Sequence, residues 1–162
     1  MGRKNVDSQR RKGELTGTPE KRHMRPTKLQ DNERALLEIL QSLDAKYENL
    51  IIVVEGNRDV AILRSLGVKA PIIKTQSSLP RHRIVEKIVE VAGKKGNVLI
   101  LTDYDREGMK IFRYLEKELE LSGAKTLQGV RRRIRKYMAT WRCIEEFVSL
   151  LDRSDSPEAS HQ

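Results

Sequence analysis

Hydrophobic positions along this chain fall into two alternating textures. Unbroken apolar runs occur at Leu50, Ile51, Ile52, Val53 and Val54, and again at Val98, Leu99, Ile100 and Leu101. Continuous runs of bulky and β-branched residues bounded by polar ones are the pattern of strands buried on both faces of a parallel sheet. A weaker run at 71–75 and a fourth at 124–128 complete the predicted strands. Between them apolar residues recur every three or four positions, the period of one helix face. That spacing predicts helices from Asp31 (Ala35, Leu36, Ile39, Leu40, Leu43), from Asn57 (Val60, Ala61, Leu63, Leu66) and from Pro80 (Ile84, Val85, Ile88, Val89, Ala92). A longer helix follows from about Arg106 (Ile111, Phe112, Leu115, Leu119), and a last one spans 144–151. Gly67, Gly93 and Gly123 stand where these helices should stop. Strand and helix in alternation imply right-handed crossovers, and so an α/β fold with a four-stranded, mainly parallel sheet and helices on both faces. At 162 residues the chain suits one such domain with a real core.

The ends lack both textures. Residues 1–30 hold nine Lys or Arg against three acids, with Gly and Pro punctuation and few apolar residues, so a disordered basic arm is expected there. It reads either as a solubilising tail or as an arm that tracks phosphates. The order that follows is a helix at 31–47, the α/β domain at 48–130, a basic segment and C-terminal helix at 131–151, and a Ser, Asp and Pro rich tail at 152–162 expected to be disordered. Charge sharpens the picture: the net value is +9, which suits a polyanionic partner, nucleic acid first among them. The single cysteine, Cys143, excludes an intramolecular disulfide and a cysteine-rich zinc site, and beside Ile144 and Phe147 it reads as a packing residue. No apolar run nears the roughly 18 residues of a membrane span, and no signal peptide is visible, so an intracellular protein is expected.

Chemistry gathers at the strand ends. The stretch NVLILTDYDREGMK, residues 97–110, ends its strand with Asp103, Asp105 and Glu107 at alternate positions. Acids so close repel one another unless a cation neutralises them, and hard oxygen donors without His suit Mg²⁺ or Mn²⁺. The plainer reading is that they cap a helix. The strand at 50–54 delivers Glu55 and Gly56 at its own end. If the strand order is 2-1-3-4, the switch point lies between the first and third strands, where ligands of open α/β sheets bind. Glu55 then stands beside Asp103 and Asp105, as a metal cradle with a carboxylate to spare for proton transfer.

EGNRDVAIL at 55–63 and DYDREG at 103–108 resemble the two motifs of the Toprim domain, over roughly residues 48–130. That Rossmann-like domain is shared by type IA and type II topoisomerases, bacterial-type primases, OLD-family nucleases, repair proteins of the RecR type and the ribonuclease that matures the smallest ribosomal RNA. DREG is similar to the type IA topoisomerase form, and VVEG with its polar turn to that ribonuclease and to small stand-alone archaeal Toprim proteins. The resemblance implies that Glu55 is a metal ligand or general acid/base and that Asp103 and Asp105 hold Mg²⁺. Met109 stands where type IA enzymes carry a further acid, which speaks against a two-metal arrangement. At 162 residues neither a domain supplying a nucleophilic tyrosine nor a primase zinc module is expected. Receiver domains and haloacid-dehalogenase phosphatases place their acids after other strands.

Residues 130–142, VRRRIRKYMATWR, carry Arg131, Arg132, Arg133, Arg135, Lys136 and Arg142 with Tyr137 and Trp141 interleaved and no acids. Basic residues among aromatics suit a track for a phosphate backbone; the rival reading is a solvated helix face with Trp141 as a core anchor. Arg106 is the expected phosphate contact beside the metal. Together these point to a Mg²⁺-dependent nuclease-like protein acting on RNA or DNA, with Asp103 and Asp105 on the metal, Glu55 moving the proton and Glu107 as an outer ligand. The alternative is a non-catalytic nucleic-acid-binding module in a repair, recombination or RNA-processing assembly. Basic charge reads phosphate and not sugar, so RNA and DNA both stand.

Overall fold

In the computed structural model, residues 29–154 are described, and α1 (Asp31–Lys46) leads into β1 (Leu50–Val54). There follow α2 (Asn57–Ser65), β2 (Ile72–Lys74), α3 (Arg81–Ala92), β3 (Asn97–Ile100), α4 (Arg106–Leu121), β4 (Lys125–Thr126) and α5 (Gln128–Met138). A 3-10 turn (Ile144–Phe147) runs into α6 (Val148–Ser154). The strand order is β2-β1-β3-β4 and every pairing is parallel, so β1 and β3 are the central neighbours. In that central pair Ile51 lies against Val98 and Val53 against Ile100, which brings the two strand ends level.

Alternation along the strands explains why they read as unbroken apolar runs. Leu50, Ile52 and Val54 of β1, with Leu99 and Leu101, face a cluster built from Leu36, Leu40 and Leu43 of α1, Leu63 of α2, Ile134 and Met138 of α5, and Ile144 and Phe147. Ile51, Val53, Val98 and Ile100 face the opposite cluster, which Ile84, Val85 and Ile88 of α3 and Leu115 and Leu119 of α4 complete. From Leu50 to Val54 and from Val98 to Leu101 each residue is therefore buried whichever way it points, and no polar position survives in between.

Helix boundaries follow local chemistry. Gln30 caps α1, its backbone N–H donating to Glu33 Oε1 at 2.9 Å, and α2 begins at Asn57 with Gly56 as cap. Gly67, with φ 99°, and Gly93, with φ 71°, end α2 and α3 in the left-handed region expected of them. The fourth strand shrinks to Lys125 and Thr126. The final helical segment starts as a 3-10 turn and continues to Ser154, past the expected tail boundary at Asp152. The basic arm expected over 1–30 and the rest of the 152–162 tail lie outside the described residues, apart from Leu29, which packs on the core, and Gln30. Among the described residues no helix is long and apolar enough to cross a membrane.

Candidate metal site and basic surface

The parallel pairing of β1 with β3 sets Glu55 beside the loop that follows β3. Glu55 Oε2 accepts the backbone N–H of Asp103 at 2.8 Å, tying the two strand ends together. Asp-Tyr-Asp then alternates across the loop. Tyr104 turns inward, its hydroxyl donating to the Arg131 carbonyl at 2.9 Å, while half-buried Asp103 and exposed Asp105 turn the other way. Asp105 is the N-cap of α4, Oδ1 accepting the Gly108 N–H at 2.8 Å, so the capping reading of this acid holds alongside any other role. Thr102, fully buried, donates to the Gly108 carbonyl at 2.9 Å and closes the turn from inside.

Carboxylate Oδ atoms of Asp103 and Asp105 and the sulfur of Cys143 can all lie within 4.8 Å of one another. Glu55 stands outside that group, coupled to it through the Asp103 N–H and through charge. Glu107 is exposed and pairs with Lys110 at 3.6 Å instead of entering the cluster. Burial raises the Glu55 carboxyl above its ordinary range, the Asp103 N–H opposes, and the charges of Asp105 and Asp59 add to the rise. Asp103 is pushed up to about 6, by burial first, against the Ile144 N–H, and then by Glu55, Asp59 and Asp105. Burial and the neighbouring acids lift the Cys143 thiol to about 11, so it is protonated at neutral pH and a poor ligand there. What remains is a pair of hard oxygen donors in a field of negative charge, a set that fits Mg²⁺ or Mn²⁺, which one or two carboxylates plus water commonly hold.

Three features of the site escape sequence reasoning. Asp59, only 4 % exposed, sits in the first turn of α2 and accepts the Gly56 N–H at 3.1 Å, adding a fourth acid behind Glu55 and Asp103. Its position three residues after the Gly56 cap is the one visible signal. Cys143 had only its packing role. The chain after α5 folds back beneath the acidic loop: the Ile144 N–H donates to Asp103 Oδ1 at 3.0 Å, and the Tyr104 N–H to the Arg142 carbonyl at 2.7 Å. Nothing in the local sequence marks so distant a pairing.

The basic stretch divides. Arg131, expected on phosphate, is 3 % exposed. Its Nη1 donates to the carbonyls of Ile100 and Thr102 at 2.9 and 3.0 Å, and its guanidinium lies 4.1 Å from the ring centres of both Tyr104 and Phe112. That residue is a brace for the strand end, and the phosphate expectation for it is corrected. Arg132, Arg133 and Lys136 are exposed on α5, half-buried Arg135 donates to the Ala139 carbonyl at 2.9 Å, and Arg106 is exposed in the first turn of α4. Trp141 packs against Phe147 with ring centres 6.1 Å apart, the anchor arrangement.

A family model of the Toprim domain matches residues 49–130. The chain is similar to a UPF0292 protein of Thermococcus onnurineus, 37 % identical over 115 residues that cover 62 % of this chain and 81 % of that protein. A UPF0292 protein of Methanocaldococcus jannaschii is 32 % identical over 73 % of this chain and 91 % of its own length. Among solved structures, a protein from Aquifex aeolicus matches with a TM-score of 0.58 at 25 % identity, over 70 % of this chain and 98 % of that one. With two motif strands adjacent, their acids at one switch point and this match spanning the whole sheet, the chain belongs to the Toprim domain family.

Proposed function

We propose that this protein is a Mg²⁺-dependent phosphodiesterase acting on the backbone of RNA or DNA. The observation that carries the reading is the hydrogen bond from the Asp103 N–H to Glu55, which joins a proton-handling carboxyl to a pair of hard metal donors at one strand edge. When bound, a divalent ion supplies Lewis-acid polarisation of a phosphoryl oxygen and a more acidic water. The remaining work falls to the chain's own groups. Asp103 and Asp105 hold their oxygens in place through the Ile144 and Gly108 N–H groups. Glu55, its pKa raised by burial, takes the proton from the attacking water or returns one to the leaving oxygen. Arg106 and the exposed cations of α5 bind phosphates on either side.

Cleavage of synthetic RNA and DNA oligonucleotides, with Mg²⁺ or Mn²⁺ and with chelator, tests the reading. Wild type should cut only with metal, and Glu55→Gln should cut roughly 10² to 10⁴ times more slowly while binding nearly as well. Metal-dependent binding with no cleavage of any substrate would replace the enzyme by a binding module, and equal cleavage by Glu55→Gln would remove the proton role.

A further inference from the structure

Between α4 and α5, next to the acidic loop, lies a cavity of about 690 Å³. We propose that this groove seats one guanine nucleotide of a bound strand, its base over the Tyr104 and Phe112 side and its phosphate at Arg132, Arg135 and Lys136. The inference deepens the reading of the protein as one that acts on nucleic acid, and rests on it. The volume lies within the ~300 to 1,000 Å³ of small-ligand sites. Its floor is aromatic and fixed: the guanidinium of Arg131, pinned to two carbonyls, lies 4.1 Å from the ring centres of both Tyr104 and Phe112. Tyr104 also lies between Asp103 and Asp105 in the chain, so the groove and the acidic loop share one residue, whose side chain faces the groove while the acids face away from it.

Charge and hydrogen bonding choose the occupant. Three cations on one side of an aromatic floor complement an amphiphilic anion better than an inorganic one. Glu116 also lines the groove, and its Oε2, out of water and without a hydrogen-bond partner, meets donors only when the side chain turns toward an occupant. Buried acceptors without donors are rare in folded proteins, and a carboxylate offers two oxygens that accept side by side. Guanine alone among the common bases presents two adjacent donors, N1–H and the N2 amino group, on its Watson–Crick edge. A base unstacked from a strand is read along that edge.

Titration of the ¹⁵N-labelled full chain in chelator, followed by amide shifts, tests this. Guanosine 5′-monophosphate should move signals of Phe112, Glu116 and Arg132 and leave that of Glu55 in place. Cytidine 5′-monophosphate should bind about tenfold more weakly, the discrimination of one good bidentate contact, and Glu116→Gln should erase that preference. Arg132→Glu with Lys136→Glu, both at exposed positions, should abolish the shifts in a protein whose spectrum is otherwise intact. A 5′-phosphorylated trinucleotide containing guanine should bind more tightly than the mononucleotide. Equal shifts from inorganic phosphate alone, equal affinity for the two mononucleotides, tighter binding of the free mononucleotide than of the trinucleotide, or no shifts would each overturn the proposal. Because metal is absent from the titration, groove binding by a protein that cleaves nothing would defeat the enzyme reading alone. Metal-dependent cleavage without groove shifts would defeat the groove alone.

Discussion

Arg131 and Arg132 are adjacent in sequence and opposed in place. The first lies inside, bridging the carbonyls of Ile100 and Thr102; the second is exposed. Arg131→Met should therefore lower stability, on the order of 3 kcal/mol, because two buried carbonyls lose their donor. Arg132→Ala should change stability by no more than about 0.5 kcal/mol. Chemical denaturation of the two variants measures both. Asp103 yields a prediction in pH. Its folded-state pKa is raised from 3.8 to about 6, so the folded protein binds more protons than the unfolded chain between those values. The contribution of Asp103 is most favourable in acid and is lost as pH rises through about 6. In chelator, Asp103→Asn should melt increasingly above wild type as pH climbs through that window, and Mg²⁺ should restore the wild type. A constant difference across the window would contradict the raised pKa. At this scale the acids were legible because Asp-Tyr-Asp after an apolar run is a local pattern. Arg131 was not, because sequence shows that it is basic and not which way α5 is turned.

Among elements, the turn from β3 into α4 is the one most tightly determined. Gly108 donates to Asp105, its carbonyl accepts from Thr102, and a Cβ on it would run into the backbone carbonyl of Asp103. Gly108→Ala should displace the acidic loop and weaken metal binding more than it weakens the core, which lies beyond the turn. Metal titration beside a melting curve would separate the two effects. On α5, the exposed Arg132, Arg133 and Lys136 should each contribute about 0.7 to 0.9 to the slope of log affinity against log salt if they engage phosphates. Replacing all three by Ala and finding the slope unchanged would move the nucleic acid to another surface. Strands β1 and β3 were legible because burial on both faces leaves no polar residue in 50–54 or 98–101. The weak β4 spans two residues and pairs only at Asn97 and Val98, too few positions to print a pattern. The bracing of Asp103 by Ile144 joins residues 41 positions apart, and no local signal records it.

For the molecule as a whole, two apolar clusters on opposite faces of one parallel sheet hold β1 and β3 level, and their ends carry the acids. The C-terminal segment closes the arrangement from below, since the Ile144 N–H and the Arg142 carbonyl both engage the acidic loop. Alternation and crossover handedness predicted a parallel sheet; the 2-1-3-4 order entered only as a condition, and the structure meets it, with Glu55 beside Asp103. The closing segment belongs to the tertiary fold alone. The proposed cleavage depends on one divalent ion held by Asp103 and Asp105, and Mn²⁺ titration followed by electron paramagnetic resonance measures it directly. Wild type and Cys143→Ser should each bind one ion, because a thiol lifted to about 11 contributes little at neutral pH. Asp103→Asn and Asp105→Asn should each weaken binding by tenfold or more, about 1.4 kcal/mol. Equal Mn²⁺ binding by wild type and by the variant with both Asp residues replaced would contradict the account.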